Sequence, residues 1–173
     1  MLIKRICILC STLLIFCFFF GSCTSKEPGR YYSENKYSIK FPEGWEKQKE
    51  TYGIEIGMSS PEELPSKGPV SNILIQVQSI PSTVNLDDIL IKITPKLQSS
   101  GFTEQERNKI IIDGIEAYKI KGVADVTGFK GISLNYYLIN NSRYYQIICV
   151  TSEEKFSEYA HIIEGSINSF RFE

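Results

Sequence analysis

Few side chains in this sequence are of the types that act as nucleophiles or general bases. The 173 residues include five cysteines and one histidine, and four of the cysteines lie within the first 23 residues. The remaining thiol, Cys149, alternates with Tyr145 and Ile147 in a predicted strand, so we expect it to point into the core. His161 lies about 140° around a predicted helix from its apolar stripe and is expected to face solvent. Because catalysis requires a constellation of groups, we predict no catalytic residue and no enzymatic activity.

Two acidic pairs, Asp87-Asp88 and Glu153-Glu154, could offer oxygen ligands to a hard cation. Each pair is predicted to lie in the first turn of a helix, where negative charge is favourable against the helix dipole. Neither pair occurs in the Asp/Asn-Gly pattern of a calcium loop. We therefore interpret both pairs as helix-capping residues and predict no metal ligand and no cofactor.

Adjacent tyrosines are the most distinctive aromatic feature of the sequence. They form three pairs: Tyr31-Tyr32, Tyr136-Tyr137 and Tyr144-Tyr145. Neighbouring residues of a strand point to opposite faces of a sheet, so one tyrosine of each strand pair must lie away from the main core. That tyrosine either belongs to a recognition surface or packs under a helix on the second face. We favour packing under helices on both faces.

The N-terminal segment has the parts of a signal sequence. Lys4 and Arg5 precede an apolar run over residues 6–20, which at 15 residues (20 − 6 + 1) is shorter than the roughly 20 residues of a membrane-spanning helix. The run has the length of a signal-peptide core. Gly21-Ser22-Cys23 follows it and resembles the lipobox of bacterial lipoproteins, in which the cysteine thiol receives a diacylglyceryl group. This resemblance implies that Cys23 is a lipidation site, with an ordinary secretory signal or an uncleaved anchor as the alternatives.

Lipidation at Cys23 divides the chain into three predicted parts. Residues 1–22 form a signal peptide, and residues 23–35 form a polar tether that contains Pro28 and Gly29. Residues 36–173 form one domain, since about 100–200 residues are typical of a single domain. We expect the mature protein in the cell envelope, lipid-anchored to a membrane on its extracytoplasmic side.

The composition fits a folded domain. Hydrophobic residues make up 42% of the chain and charged residues 23%, which excludes disordered and collagen-like proteins. With 19 Lys+Arg against 20 Asp+Glu the net charge is −1, so the chain lacks the basic footprint of a nucleic-acid-binding protein.

Two amphipathic helices are predicted. The first runs from Leu86 to about Ser99 with Asn85 as its N-cap, and Pro95 should kink it or end it early. The second follows a capping box formed by Thr151 and Glu154. Its apolar stripe consists of Phe156, Tyr159, Ala160, Ile163, Ile167 and Phe170.

Extended segments account for most of the remaining chain. They cover residues 37–41, 52–58, 72–80, 103–112, 115–126, 130–139 and 144–150. Asp113-Gly114 is a hairpin turn signal, and Asn140-Asn141-Ser142 is a looser one. The pattern predicts an α+β fold with a central antiparallel β-sheet of about six strands flanked by helices.

Four short segments, in a consistent order and spacing, carry a family resemblance. They are residues 37–45 (YSIKFPEGW), 72–77, 111–118 (IIDGIEAY) and 169–172 (SFRF). In this order they resemble the PsbP-like family, also described as the Mog1/PsbP fold, over residues 36–173. The resemblance implies a central antiparallel sheet flanked by helices.

The function of this family varies among its members. Photosynthetic members are extrinsic subunits of photosystem II that support calcium and chloride retention, and other relatives are nuclear-transport cofactors or envelope lipoproteins. Together with the lipobox, the resemblance predicts an envelope lipoprotein whose non-catalytic PsbP-like domain is an accessory or binding module. The predicted partners are the membrane, through Cys23, and a protein of the envelope, with no nucleic acid. The alternatives are a small-ligand or metal carrier, a PsbP-type photosystem II accessory protein, and a thiol-dependent enzyme using Cys149.

Overall fold

The computed structural model describes residues 26–49, 53–61, 71–126 and 129–173. The predicted signal peptide (residues 1–22) and the predicted lipidation site Cys23 lie outside these ranges. Within them, no helix combines the length and the apolarity that crossing a bilayer requires.

Ten strands and two helices occur in the described ranges. The strands are β1 (Arg30–Ser33), β2 (Tyr37–Lys40), β3 (Glu46–Lys47), β4 (Ile56–Ser59), β5 (Asn72–Ser79), β6 (Phe102–Ile112), β7 (Ile115–Val126), β8 (Phe129–Asn140), β9 (Arg143–Ser152) and β10 (Arg171–Phe172). The helices are α1 (Leu86–Ser99) and α2 (Phe156–Asn168).

Strands β3 to β9 form the main sheet, in the order β3-β4-β5-β9-β8-β7-β6. Every neighbouring pair in it is antiparallel. With a helix on each face, this sheet confirms the predicted α+β class. Among the described residues it has seven strands rather than about six, because the two-residue β3 pairs with β4 at one edge.

A smaller sheet has the order β1-β2-β10. Both β1 and β10 pair antiparallel with β2. The boundary predicted for the tether (residues 23–35) is therefore wrong at its C-terminal end, since Arg30–Ser33 is a paired strand. The reason is aromatic packing, because the Tyr31 ring lies 6.0 Å from that of Tyr37 and 6.2 Å from that of Phe41.

The long hairpins turn through residues with left-handed backbone conformations. In the β6–β7 turn, φ is 47° at Asp113 and 79° at Gly114. In the β8–β9 turn, φ is 48° at Asn141 and 57° at Ser142. Positive φ at both central residues is typical of the type I′ turn that matches the twist of paired strands, and both predicted hairpins are confirmed.

Helix α1 begins where the sequence predicts. The Asn85 side chain accepts a hydrogen bond from the backbone N–H of Asp88 at 2.8 Å, which satisfies one of the free donors of the first turn. Pro95 does not end the helix early, and α1 continues to Ser99. Leu90 and Leu97 pack into one apolar cluster on either side of the proline, so burial holds both parts of the helix in place.

Helix α2 begins later than predicted. The capping box of Thr151 and Glu154 is wrong, because β9 extends through Thr151 and pairs it with β8. The Thr151 hydroxyl is buried and shares a hydrogen bond of 2.7 Å with the Ser71 hydroxyl. Lys155 is the N-cap of α2, without a side-chain hydrogen bond to the helix backbone.

Apolar side chains cover both faces of the main sheet. The α2-side core lies beneath α2 and the small sheet, and its largest fully buried side chains are Tyr37, Ile39, Ile73, Ile75, Tyr136, Leu138, Tyr145, Ile147, Ile163 and Phe170. The α1-side core lies beneath α1 and consists of Leu90, Phe102, Ile120, Tyr137 and Tyr144. The sheet is therefore the middle layer of the domain.

Candidate functional site

The adjacent tyrosines of β8 and β9 pack on both faces of the sheet. Tyr136 and Tyr145 belong to the α2-side core, and Tyr137 and Tyr144 to the α1-side core. All four are buried, so packing under the helices accounts for both pairs. The Tyr31-Tyr32 pair is half-buried in β1.

Cys149 lies in the α2-side core with 1% of its surface exposed, as its alternation in β9 predicts. Burial raises the pKa of the thiol, and the smaller opposing influence of the Lys119 charge does not offset this. A reactive cysteine requires an accessible thiolate, and this environment provides neither the access nor the ionised form.

The other candidates for chemistry lie apart from one another. His161 is exposed on α2, as predicted. Asp87 and Asp88 lie in the first turn of α1, whereas Glu153-Glu154 lies in the turn before α2 and not within its first turn. Within residues 26–49, 53–61, 71–126 and 129–173, no group of three or more His, Cys, Asp or Glu side chains is placed to hold a metal ion.

A groove of about 740 Å³ lies beside the first strand, and we call it the N-terminal groove. Its lining combines apolar side chains with three basic residues and one acidic residue: Arg30, Tyr31, Lys40, Phe41, Pro42, Glu43, Lys47 and Met58. Pro28 also lines it, five positions after Cys23 (28 − 23). Because an extended chain spans at most about 3.5 Å per residue, the groove lies within roughly 20 Å of the predicted lipidation site.

Glu27 forms ion pairs with two basic residues at one end of this groove. Its carboxylate accepts a hydrogen bond from Arg30 Nε at 2.8 Å and forms an ion pair with Lys40. The hydrogen bonds from Lys40 and Arg30 lower the pKa of Glu27. Lys47 is exposed on β3 at the same groove, and Glu43 also lines it. The three basic side chains therefore outnumber Glu27 and Glu43 by one beside an apolar floor.

A second groove, of about 260 Å³, lies between α2 and the β6–β7 margin of the main sheet. We call it the α2-side groove, and its principal lining residues are Ile110, Ile112, Lys119, Tyr136, Glu164 and Ile167. Lys119 Nζ donates a hydrogen bond of 2.6 Å to Glu164 Oε1. Burial, and to a smaller extent the nearby Glu164 charge, raises the pKa of Tyr136. The hydroxyl of Tyr136 is therefore protonated and neutral near neutral pH.

A third polar cluster links the small sheet to the main sheet. Glu55 accepts a hydrogen bond from Asn35 Nδ2 at 2.8 Å and another from the Ser33 hydroxyl. The Tyr145 hydroxyl donates to the backbone carbonyl of Asn35 at 3.0 Å. Burial raises the pKa of Tyr37, and the nearby Glu55 charge raises it further. These contacts hold the β1–β2 turn against the sheet and are structural.

Sequence reasoning missed Lys119 and Glu164 as residues of a candidate site. The sequence does contain a signal for Lys119. It lies two positions after Ala117 in β7, so both side chains are on the face that packs against the α2-side core. A lysine at such a position indicates a polar contact at the core boundary. The residue that it meets, Glu164, is 45 positions away (164 − 119) on α2, and the sequence carries no signal for that pairing.

Comparison with solved structures identifies the same fold in proteins of low sequence identity. CyanoP, the cyanobacterial PsbP of Synechocystis, is 17% identical with a TM-score of 0.65, covering 89% of this chain and 99% of CyanoP. LpqN of Mycobacterium tuberculosis, involved in cell envelope biogenesis, is 11% identical with a TM-score of 0.66, covering 84% of this chain and 86% of LpqN. The Ran-binding protein Mog1p of Saccharomyces cerevisiae is 8% identical with a TM-score of 0.55, covering 86% of this chain and 96% of Mog1p. No curated protein matches the sequence.

The family assignment follows from the sequence together with this architecture. The family model described as PsbP-like protein matches residues 22–172, which include all ten strands and both helices of the described ranges. The segments that resemble the family in sequence occupy β2, β5, the β6–β7 hairpin and the region of β10. The chain belongs to the PsbP-like protein family.

Proposed function

We propose that this protein is an envelope lipoprotein, anchored to a membrane through Cys23, whose non-catalytic PsbP-like domain binds another component of the envelope. The observation that carries the proposal is the succession of Lys4-Arg5, the apolar run over residues 6–20 and Gly21-Ser22-Cys23. Two or more acyl chains on the resulting N-terminus would hold the protein stably at a membrane. The likeness to LpqN, a protein involved in cell envelope biogenesis, supports the assignment to the envelope.

The N-terminal groove is the surface that we assign to the partner. It lies close to the predicted anchor, and Tyr31, Phe41 and Met58 give it an apolar floor. Its basic residues, Lys47 among them, outnumber the acidic ones, Glu27 and Glu43. Such a surface complements a protein segment that carries both apolar and acidic side chains. We therefore propose an acidic segment of an envelope protein as the occupant.

The anchor is tested by replacing the predicted lipidation site. Cys23→Ser should move the protein from the membrane fraction to the aqueous fraction and abolish incorporation of labelled palmitate, because no other thiol follows a lipobox. Cys17→Ser is the matched control, since it removes a cysteine from the apolar run and leaves Gly21-Ser22-Cys23 unchanged. Membrane retention and labelling of the Cys23→Ser protein would exclude the proposed anchor.

The partner surface is tested by photo-crosslinking in intact cells. A photoreactive amino acid at Phe41 should form a crosslink to one envelope protein, and Lys47→Glu should abolish that crosslink by reversing the charge at the groove. The control variant Lys92→Glu, exposed on α1, should leave the crosslink in place. A crosslink that survives Lys47→Glu, or one formed only with lipid, would contradict binding of an acidic protein segment in this groove.

A further inference from the structure

The α2-side groove contains a buried hydroxyl without a partner. Tyr136 is 1% exposed, and its hydroxyl has no hydrogen-bond partner in the part of the chain that the structure describes. Buried polar groups are almost always paired, because an unpaired one loses its hydration without compensation. Tyr136 lines the groove, and a molecule that enters there and uncovers the hydroxyl can supply the missing acceptor.

A cation lies beside this hydroxyl. Lys119 and Tyr136 are directly opposite each other in the β7–β8 register, which places their Cβ atoms about 5 Å apart on one face. Lys119 Nζ lies 2.6 Å from Glu164 Oε1, and 48% of the Glu164 side chain is exposed. The Glu164 carboxylate can therefore turn into water while Lys119 stays at the groove wall.

Isoleucines make up most of the remaining wall. Ile110 and Ile112 of β6 and Ile167 of α2 line the groove, together with the exposed Ile111 and the amide of Asn168. Its volume of about 260 Å³ is near the lower limit of roughly 300 Å³ for small-molecule sites. The site therefore suits a short molecule with one polar head and one apolar tail.

We propose that the α2-side groove binds a small monocarboxylate. The carboxylate accepts hydrogen bonds from the Lys119 ammonium and the Tyr136 hydroxyl, and the apolar tail lies against the three isoleucines. Lys119 exchanges one carboxylate partner for another, while Tyr136 gains the acceptor that Glu164 does not provide. This inference names a ligand beyond the proposed function and does not depend on the anchor at Cys23.

The test is a titration of the full-length chain in lipid nanodiscs, with ¹³C-labelled isoleucine methyl groups and hexanoate as the probe. The methyl signals of Ile110, Ile112 and Ile167 should shift with saturation, whereas the signal of Ile91, exposed on α1, should not. Absence of a saturable shift up to the solubility limit of hexanoate would overturn the proposal. Hexanol is the uncharged comparison, and equal affinity for hexanol and hexanoate would exclude carboxylate recognition.

Variants separate the two proposed contacts from a general effect on folding. Lys119→Gln and Tyr136→Phe should each weaken hexanoate binding by about tenfold or more, because each removes a hydrogen bond to a charged group. Glu164→Gln should strengthen binding, since the competing carboxylate is gone. Lys109→Gln is the matched control, because Lys109 forms a similar ion pair with Glu116 at 2.8 Å outside the groove, and it should leave the affinity unchanged.

Stability measurements show whether weaker hexanoate binding by a variant reflects a lost contact or a destabilised fold. Tyr136→Phe removes a hydroxyl without a partner, so the variant should unfold at the same urea concentration as the parent protein or a higher one. Weaker hexanoate binding by a variant of undiminished stability supports the contact. Affinity unchanged in Tyr136→Phe and Lys119→Gln would show that hexanoate only fills an apolar space.

Discussion

At the scale of single residues, Cys149 shows how a position in a sheet determines the chemistry of a thiol. The residue faces the α2-side core and is paired across the β8–β9 ladder with Leu134. Burial there raises its pKa, because the charged thiolate cannot be hydrated. The same side chain would be reactive on an exposed, electropositive surface.

The raised pKa predicts a dependence of stability on pH. An unfolded cysteine ionises near pH 8.5, whereas buried Cys149 stays protonated at higher pH. Between these two pKa values the folded state binds more protons, so the free energy of unfolding falls as pH rises. We expect a loss of about 2 kcal/mol between pH 8.5 and pH 10, measured by urea denaturation.

Two variants assign this loss to the thiol. Cys149→Ala should remove the part of the decline that begins near pH 8.5 and retain the part above pH 10, where buried tyrosines such as Tyr136 and Tyr144 also have raised pKa values. His161→Ala should leave the curve unchanged, since His161 is exposed. An unchanged decline in Cys149→Ala would contradict the assignment.

Residue environments within one strand could be predicted from the sequence, but contacts between distant elements could not. Period-two alternation is sufficient to bury Cys149, and helical periodicity is sufficient to expose His161. The Lys119–Glu164 contact depends on where α2 crosses the sheet. The position of α2 on the sheet is determined by the packing of the whole domain, and it cannot be predicted from periodicity along the sequence.

At the scale of elements, Gly122 lies at a close contact between β6 and β7. A Cβ atom there would lie 2.4 Å from Phe102 Cζ and 2.4 Å from the Thr103 carbonyl oxygen. The ladder shifts register between Glu104 and Glu106 in the same region, as expected for a β-bulge. Phe102 thus packs over the backbone of the neighbouring strand because Gly122 has no side chain.

Alanine substitutions at two glycines should therefore change the free energy of unfolding in opposite directions. Gly122→Ala should lower the free energy of unfolding by about 1–3 kcal/mol, because Phe102 and the β6 backbone must move. Gly165→Ala should raise it by about 0.5–1 kcal/mol, since a Cβ at this site in α2 meets no atom within 4 Å and alanine favours the helix. Urea denaturation followed by the fluorescence of Trp45 would measure both. Equal stability of the two variants would contradict the close packing at Gly122.

The ends of elements that depend on neighbouring residues could be predicted from the sequence. Those that depend on pairing with a distant strand could not. Asp113-Gly114 predicts its hairpin because a two-residue turn requires positive φ, and Asn85 predicts the start of α1 because its side chain accepts a local N–H. Thr151 has the local features of a cap as well. Pairing with β8 and the hydrogen bond to Ser71 outweigh them.

At the scale of the whole molecule, Phe170 joins the two sheets. Its ring is stacked on Tyr37 at 5.1 Å and meets Tyr145 edge-on at 6.1 Å. Tyr37 belongs to the small sheet and Tyr145 to the main sheet. The small sheet is therefore held in place by aromatic contacts as well as by the polar cluster around Glu55.

Removing this ring should destabilise the small sheet first. Phe170→Ala should cost about 3–5 kcal/mol of stability, since a fully buried phenylalanine leaves a cavity. Phe172→Ala, which truncates a half-buried ring of the same cluster, should cost less. Hydrogen exchange should show faster exchange of the β2 amides than of the β8 amides in Phe170→Ala. Equal acceleration in both strands would contradict a separate role for the small sheet.

The α+β class, the long strands and their two hairpins could be predicted because alternation and turn residues are local properties. The division of the strands between two sheets could not, since Arg30–Ser33 is short, polar at both ends and close to a proline and a glycine. Only its partner β2 and the aromatic cluster around Tyr37 make it a strand.

The pairing of β2 with both β1 and β10 also determines when this domain can complete its folding. Ser38 is paired with Arg171, 133 positions later (171 − 38). Strand β2 therefore has a free edge during synthesis until residue 171 has emerged, although β1 and β2 can already form a hairpin. Contacts of such long sequence separation form late and slow the folding rate. A chain of this design needs protection of its N-terminal strands until the C-terminal strand arrives.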